Sequence, residues 1–107
     1  MRLPKITEAD FTRQVLQLAK HCGWRSAHFR PGRTAKGWRT AVQGDGAGFP
    51  DLILIRGGLL IVVELKVGKN KPTEEQRAWL EAFREAAVNA FVWTPKDWPE
   101  IKETLIP

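Results

Sequence analysis

The 107-residue chain has one cysteine, Cys22, which excludes an intramolecular disulfide and a cysteine-based zinc site. This usage fits a reducing compartment, and Cys22 is expected to pack into the core at the end of the first helix. Long apolar runs are also lacking. The longest, Leu59 to Val63, is far too short to cross a bilayer, so no membrane partner is expected. The opening Met1-Arg2-Leu3-Pro4-Lys5 leads into polar residues, and no signal peptide is expected. There are no internal repeats, low-complexity segments or linkers, which leaves one domain over residues 1–107. With 43% hydrophobic and 27% charged residues, the composition is that of a soluble globular protein. Acidic residues are in deficit, 12 against 17 Lys and Arg, for a formal net charge of +5. That balance favours a polyanionic partner.

The acid deficit is sharpest from Arg25 to Arg39. Arg25, Arg30, Arg33, Lys36 and Arg39 lie there with no carboxylate among them. They form either a solvated basic loop or a phosphate-binding segment. Interleaving with Trp24, Phe29 and Trp38 favours the second.

Gly48 to Lys66 is where the sequence is most specific. Two runs rich in leucine and β-branched residues flank Gly57-Gly58, a β-hairpin signal. With a two-residue loop, Arg56 faces Leu59, and counting inward places Asp51 opposite Glu64. Like charges directly opposed are destabilising, and partial burial would worsen the cost. Lys66 shares their face at a spacing of two, but one ammonium cannot neutralise two carboxylates. A divalent cation is the natural complement, because hard cations take carboxylate oxygens together with substrate phosphate. A three-residue turn would slip the register and separate the pair. The bland alternative is a surface hairpin with solvated end charges.

Around this hairpin, Thr7 is expected to cap a helix running to about His21, with Glu8 and Asp10 in its first turn. Phe11, Val15, Leu18 and Cys22 make its apolar stripe, and Gly23 ends it. Extended backwards, the stripe reaches Glu8, which is either a dipole-complementing acid or a site residue at the core-facing edge. Trp24 to Arg30 reads as a strand. His28 on it is a weaker site candidate than a structural histidine, and His21 suits a helix C-terminus. Residues 31–47 are expected to form a long irregular loop, of the kind that is often functional. Asp45 fits a turn better than a site. Pro50 suits the start of the next strand. Thr73-Glu74-Glu75-Gln76 predicts a capping box, yet Gln76 also shares a face with Trp79, Leu80 and Phe83, so it has two candidate roles. The helix is expected to reach about Val88. A strand over Asn89 to Trp93 and a short helix over Pro95 to Leu105 follow, with Pro99 inside that helix unless it begins later.

The order helix, three strands, helix, strand, helix implies a small α/β fold with helices on a sheet. With Pro50-Asp51 followed by Glu64-Leu65-Lys66, it resembles the PD-(D/E)XK nuclease superfamily. Gly48-Phe49-Pro50-Asp51-Leu52, the twelve residues between Asp51 and Glu64, Glu8 in the first helix and Gln76 in the later one resemble the VRR-NUC family. The resemblance runs from about Thr7 to Trp98 and is to the stand-alone phage or bacterial type. It implies a restriction-endonuclease-like α/β fold, a central mixed four-stranded sheet flanked by helices in the order αβββαβ plus a short C-terminal helix.

It also implies a site. Asp51, Glu64 and the main-chain carbonyl of Leu65 would bind Mg²⁺ or Mn²⁺. Lys66 would orient or deprotonate the attacking water, and Gln76 would position Lys66 or the phosphate. Glu8 would support the metal directly, through water or through a second ion. Arg30, Arg33, Lys36, Arg39, Lys69 and Lys71 are the expected nucleic-acid contacts. Phosphate contacts confer affinity without sequence information, and no separate base-reading module is visible. The expected activity is therefore structure-selective DNA cleavage, at a hairpin, flap, fork or four-way junction, in the cytoplasm (a bacterial host's, if phage-encoded). A resolvase of symmetric junctions needs two sites, hence a homodimer. The competing classes are a catalytically silent nucleic-acid-binding module and an interaction protein on a repurposed fold.

Overall fold

Thr7 opens the first helix as its side chain dictates. Its Oγ1 accepts a hydrogen bond from the Asp10 N–H, and α1 runs Glu8–His21. Gly23, in the left-handed region at φ +84°, turns the chain away behind it. The computed structural model describes residues 5–29, 32–34, 37–39 and 44–107, with 32–34 and 37–39 described by their backbone alone. The strands β1 (Arg25–His28), β4 (Leu52–Arg56), β5 (Leu59–Leu65) and β6 (Asn89–Trp93) form one sheet in the order β1-β4-β5-β6. The first two pairings are antiparallel and β5 with β6 is parallel, so the sheet is mixed.

Two described stretches within 31–47 depart from the expected irregular loop. Gly32–Thr34 (β2) and Gly37–Arg39 (β3) pair as a separate antiparallel ribbon. Strands of three residues are too short for an apolar alternation to mark them in sequence.

Gly57 and Gly58, at φ +51° and +85°, take the two left-handed positions of the β4–β5 turn. Arg56 pairs with Leu59 and Leu52 with Val63, the register reached by counting from the glycines. Alternation then assigns the faces. Leu52, Leu54, Ile61, Val63 and Leu65 pack with Phe11, Val15 and Ala19 of α1 and with Ile101 and Leu105 of the last helix. Val62, Ile53 and Val92 pack on the opposite face against Leu80 and Phe83 of α2 (Glu74–Glu85). Covered on both sides, Ile61 to Leu65 are all buried, as in strands sandwiched between helix layers. Glu64 is in that run and on the α2 face.

The far ends are tied down by two arginines. Arg56 lies 4.5 Å over the Trp24 ring and donates to the Cys22 and Leu105 carbonyls, joining the hairpin tip to α1 and to the C-terminus of α3. Arg84 donates twice to the Ala90 carbonyl on β6. The last segment begins as a 3-10 turn, Pro95–Asp97, and α3 runs Trp98–Leu105. Pro99 thus sits in the first turn of α3, where its missing N–H disrupts nothing. Among the described residues, no helix is long and apolar enough to cross a membrane.

Candidate active site

Beyond the last paired residues, Leu52 and Val63, the next positions on the two strands are Asp51 and Glu64. Asp51 precedes β4 and is tied to both neighbouring strands. Its carbonyl accepts from the Phe29 N–H at 2.8 Å, and its Oδ2 accepts from the Leu65 N–H at 2.8 Å. The second bond fixes the carboxylate against β5, beside Glu64.

Glu64 is 1% exposed. Its Oε1 accepts from Gln76 Nε2 at 3.1 Å and lies 3.9 Å from Lys66 Nζ. Its Oε2 is buried and has no donor among the described residues. Ionised carboxylates are acceptors only, so Asp51 can answer that oxygen only when one of the two carries a proton. Burial, first, and then the adjoining Asp51 carboxylate push the Glu64 carboxyl up to about 9; Lys66 opposes this and Glu8 adds to it. Lys66 follows on the same face, with a side chain only 14% exposed. The hairpin thus holds a charge conflict that its own lysine relieves only in part.

Gln76 performs both of its candidate roles. Its main-chain N–H donates to Thr73 Oγ1 and its Oε1 accepts from the Thr73 N–H, completing the capping box. Committing Oε1 to the cap turns the amide NH₂ towards Glu64. A local helix signal therefore orients a group in the site.

Glu8 differs from expectation. It is exposed at the first position of α1, although buried Phe11, Thr12 and Val15 lie three, four and seven residues on, along the same face of the helix. It is still close enough for its charge to act on Glu64. Among the described residues, no three His, Cys, Asp or Glu side chains gather to hold a metal by themselves. Lys69 and Lys71 are exposed just past Lys66. Arg30 and Lys36 lie outside the described residues, as do the side chains of Arg33 and Arg39. His28 is half-buried at the end of β1, His21 is exposed, and Asp45 lies in a bend.

A clasp around the Asp51 loop escaped the sequence reading. Trp79 Nε1 donates to the carbonyls of Asp45 and Ala47. The Phe49 ring packs edge-on against Phe29 and Trp79, with centroids 5.1 and 5.0 Å away. Gly48, at φ +80°, passes so close to α2 that an added Cβ would lie 2.6 Å from the Glu75 carbonyl carbon. The clasp presses the loop that leads into Asp51 onto the helix that carries Gln76. Its signals were present in Gly48-Phe49-Pro50-Asp51 and in the spacing of Gln76, Trp79 and Phe83, but nothing local joined the two segments.

The VRR-NUC domain matches residues 8–96, which span every element from α1 to the turn before α3. The chain belongs to the VRR-NUC family. A VRR-NUC domain implies a nuclease, with DNA as substrate, and the four-stranded mixed sheet flanked by helices agrees with that fold. No curated protein matches the chain.

Proposed function

We propose that this protein is a Mg²⁺- or Mn²⁺-dependent, structure-selective DNA endonuclease. Its preferred substrates would be branched DNA, including flaps and four-way junctions, and it would act in the cytoplasm as a homodimer. The observation that carries the reading is Glu64: a buried carboxylate facing Asp51, with one oxygen that meets no donor among the described residues. Such a group calls for a cation. Two carboxylates and the Leu65 main-chain carbonyl are an oxygen donor set suited to an ion that keeps part of its water shell. When bound, the cation would lower the pKa of a coordinated water and offset charge on the phosphoryl oxygens.

The remaining roles belong to the chain. Asp51, held by the Leu65 N–H, keeps its carboxylate aimed across the hairpin. Gln76 holds Glu64 Oε1 in place. Lys66, its ammonium near Glu64 and its stem largely covered, presents a compact positive charge to the scissile phosphate and handles the proton of the attacking water. Glu8 supports the centre from its rim. Lys69 and Lys71, exposed just past Lys66, contact backbone phosphates. The exposed Ile55, Leu59 and Leu60 at the β4–β5 turn offer an apolar contact for the second copy.

The test is cleavage of labelled flap, fork, junction and linear duplex DNA with Mn²⁺ or Mg²⁺, with sedimentation velocity on the same samples. Wild type should cut branched substrates and sediment as a dimer. Lys66→Ala should cut about a hundredfold more slowly with little change in DNA affinity. Metal-independent cleavage, or cleavage unaffected by Lys66→Ala, defeats the mechanism. Binding without cleavage would instead make the protein a nucleic-acid-binding module.

A further inference from the structure

One flank of α1 stands apart from the catalytic machinery. Ala9, Thr12, Arg13, Leu16, Gln17 and Lys20 recur at helical spacing along it, and with Glu8 and His28 they line a groove of about 510 Å³. The groove lies between α1 and the β1 edge of the sheet. Leu16 is half-buried and packs on the core, giving the groove an apolar floor. Arg13, Gln17 and Lys20 are exposed along the same flank. Arg13 pairs with Asp10, a surface ion pair of the kind that gives way readily.

Its position matters as much as its lining. His28, at one end, is paired with Leu52, and the next residue, Phe29, donates its N–H to the Asp51 carbonyl. Glu8, at the same end, lies within electrostatic reach of Glu64. The Glu8–His28 end of the groove therefore lies near the strand ends that carry Asp51 and Glu64, neither of which lines it, and the groove runs from there towards Lys20. From Arg13 to Lys20 the helix advances about 10 Å at 1.5 Å per residue, the length of about three stacked nucleotides at ~3.4 Å each.

We propose that this groove carries the single-stranded segment of the DNA substrate next to the cleavage point. Arg13 and Lys20 would hold its phosphates, Leu16 would support a base or sugar, and the Gln17 amide would meet base edges. Apolar support for bases combined with cations for the backbone is how unpaired strands are held without sequence preference. The inference rests on the nuclease reading for its substrate, and it supplies a physical basis for preferring branched DNA: only a substrate with an unpaired strand fills the groove.

Fluorescence anisotropy in EDTA, where no cutting occurs, tests it on the full chain with flap DNA and blunt duplex. Arg13→Glu/Lys20→Glu should weaken flap binding at least tenfold and flatten the log K against log salt slope by about 1.4, two single-strand contacts at ~0.7 each. Blunt duplex should be affected no more than by the charge-matched control Lys96→Glu/Lys102→Glu, which lies outside the groove. In cleavage, the KM for flap DNA should rise while kcat holds. Arg13→Gln/Lys20→Gln should show the same pattern more weakly. Equal losses on flap and duplex, or a groove variant indistinguishable from the control, overturns the proposal. So does a changed oligomeric state with unchanged affinity, which would make the groove a contact between copies. If wild type binds flaps but never cuts, the nuclease reading fails and the groove is judged on the anisotropy alone.

Discussion

Glu64→Gln is expected to fold, to lose DNA cleavage and, in EDTA, to withstand rising pH better than the wild type. Glutamine keeps the shape and the oxygen that accepts from Gln76, and it removes the charge. In the metal-free protein the Glu64 carboxyl is raised from 4.5 to about 9, by burial first and by Asp51 second. The folded state therefore binds a proton that the unfolded state has released between those two values. The stability this confers is complete below about pH 4.5 and is lost as the pH climbs through about 9. Glutamine has no proton to lose, so this part of the pH slope should vanish. Urea titrations from pH 5 to 9 in EDTA read the difference directly, and parallel slopes for the two proteins would contradict a buried, proton-holding Glu64. Adding Mn²⁺ should stabilise wild type by mass action and leave the variant nearly unmoved. At neutral pH the same binding should release a proton, which calorimetry in buffers of different ionisation heat detects. Cleavage should fall by about 10³ or more, the scale set by losing a principal electrostatic element of a site.

Gly48→Ala should destabilise the protein more than alanine at Gly23, Gly44, Gly57, Gly58 or Gly68. Two penalties combine at this residue. The backbone is left-handed at φ +80°, a strain of about 1–3 kcal/mol for alanine. The new Cβ would also lie 2.6 Å from the Glu75 carbonyl carbon and 2.7 Å from the Gln76 nitrogen, both backbone atoms of α2. Overpacking of that kind adds about 1–3 kcal/mol. Gly44 provides the control, since it is also left-handed, at φ +74°, but has nothing among the described residues within 4 Å of an added Cβ. Gly44→Ala should therefore show the backbone strain alone. Chemical denaturation of both variants separates the two penalties, and equal losses would mean that the close approach to α2 carries no weight. Activity at Gly48→Ala should fall further than stability explains, because the loop must move off the helix that orients Gln76. Metal affinity, measured on the fraction that remains folded, is the readout for that displacement.

The parts of the site legible in the sequence were those governed by a few consecutive residues. Asp51 and Glu64 could be paired because Gly57 and Gly58 each accept a positive φ, and a two-residue turn admits one register. The Thr73–Gln76 capping box was legible for the same reason, since both of its bonds close within one helical turn. Pro99 shows the limit of such reasoning: its preference for a first turn was visible, but the start of α3 depended on the 3-10 turn before it. Glu8 shows another. Its place on an extrapolated stripe suggested a core-facing edge, and it does fall in line with buried Phe11, Thr12 and Val15, but spacing cannot show how far along its length a helix stays covered, and its first residue is exposed.

By itself, then, the sequence determined the opposition of two carboxylates beside a lysine, the order of the main-sheet strands and their helices, and the family to which they belong. Turn geometry, capping and strand periodicity are short-range and act wherever those residues occur. Only the tertiary structure decided that Glu64 is fully buried, that Gln76 serves its helix cap and Glu64 at once, and that Gly48 and Trp79 seat the Asp51 loop on α2. Each of these depends on a helix layer closing over the end of the sheet from a segment distant in the chain. The distance between such segments is set by the packing of the whole core.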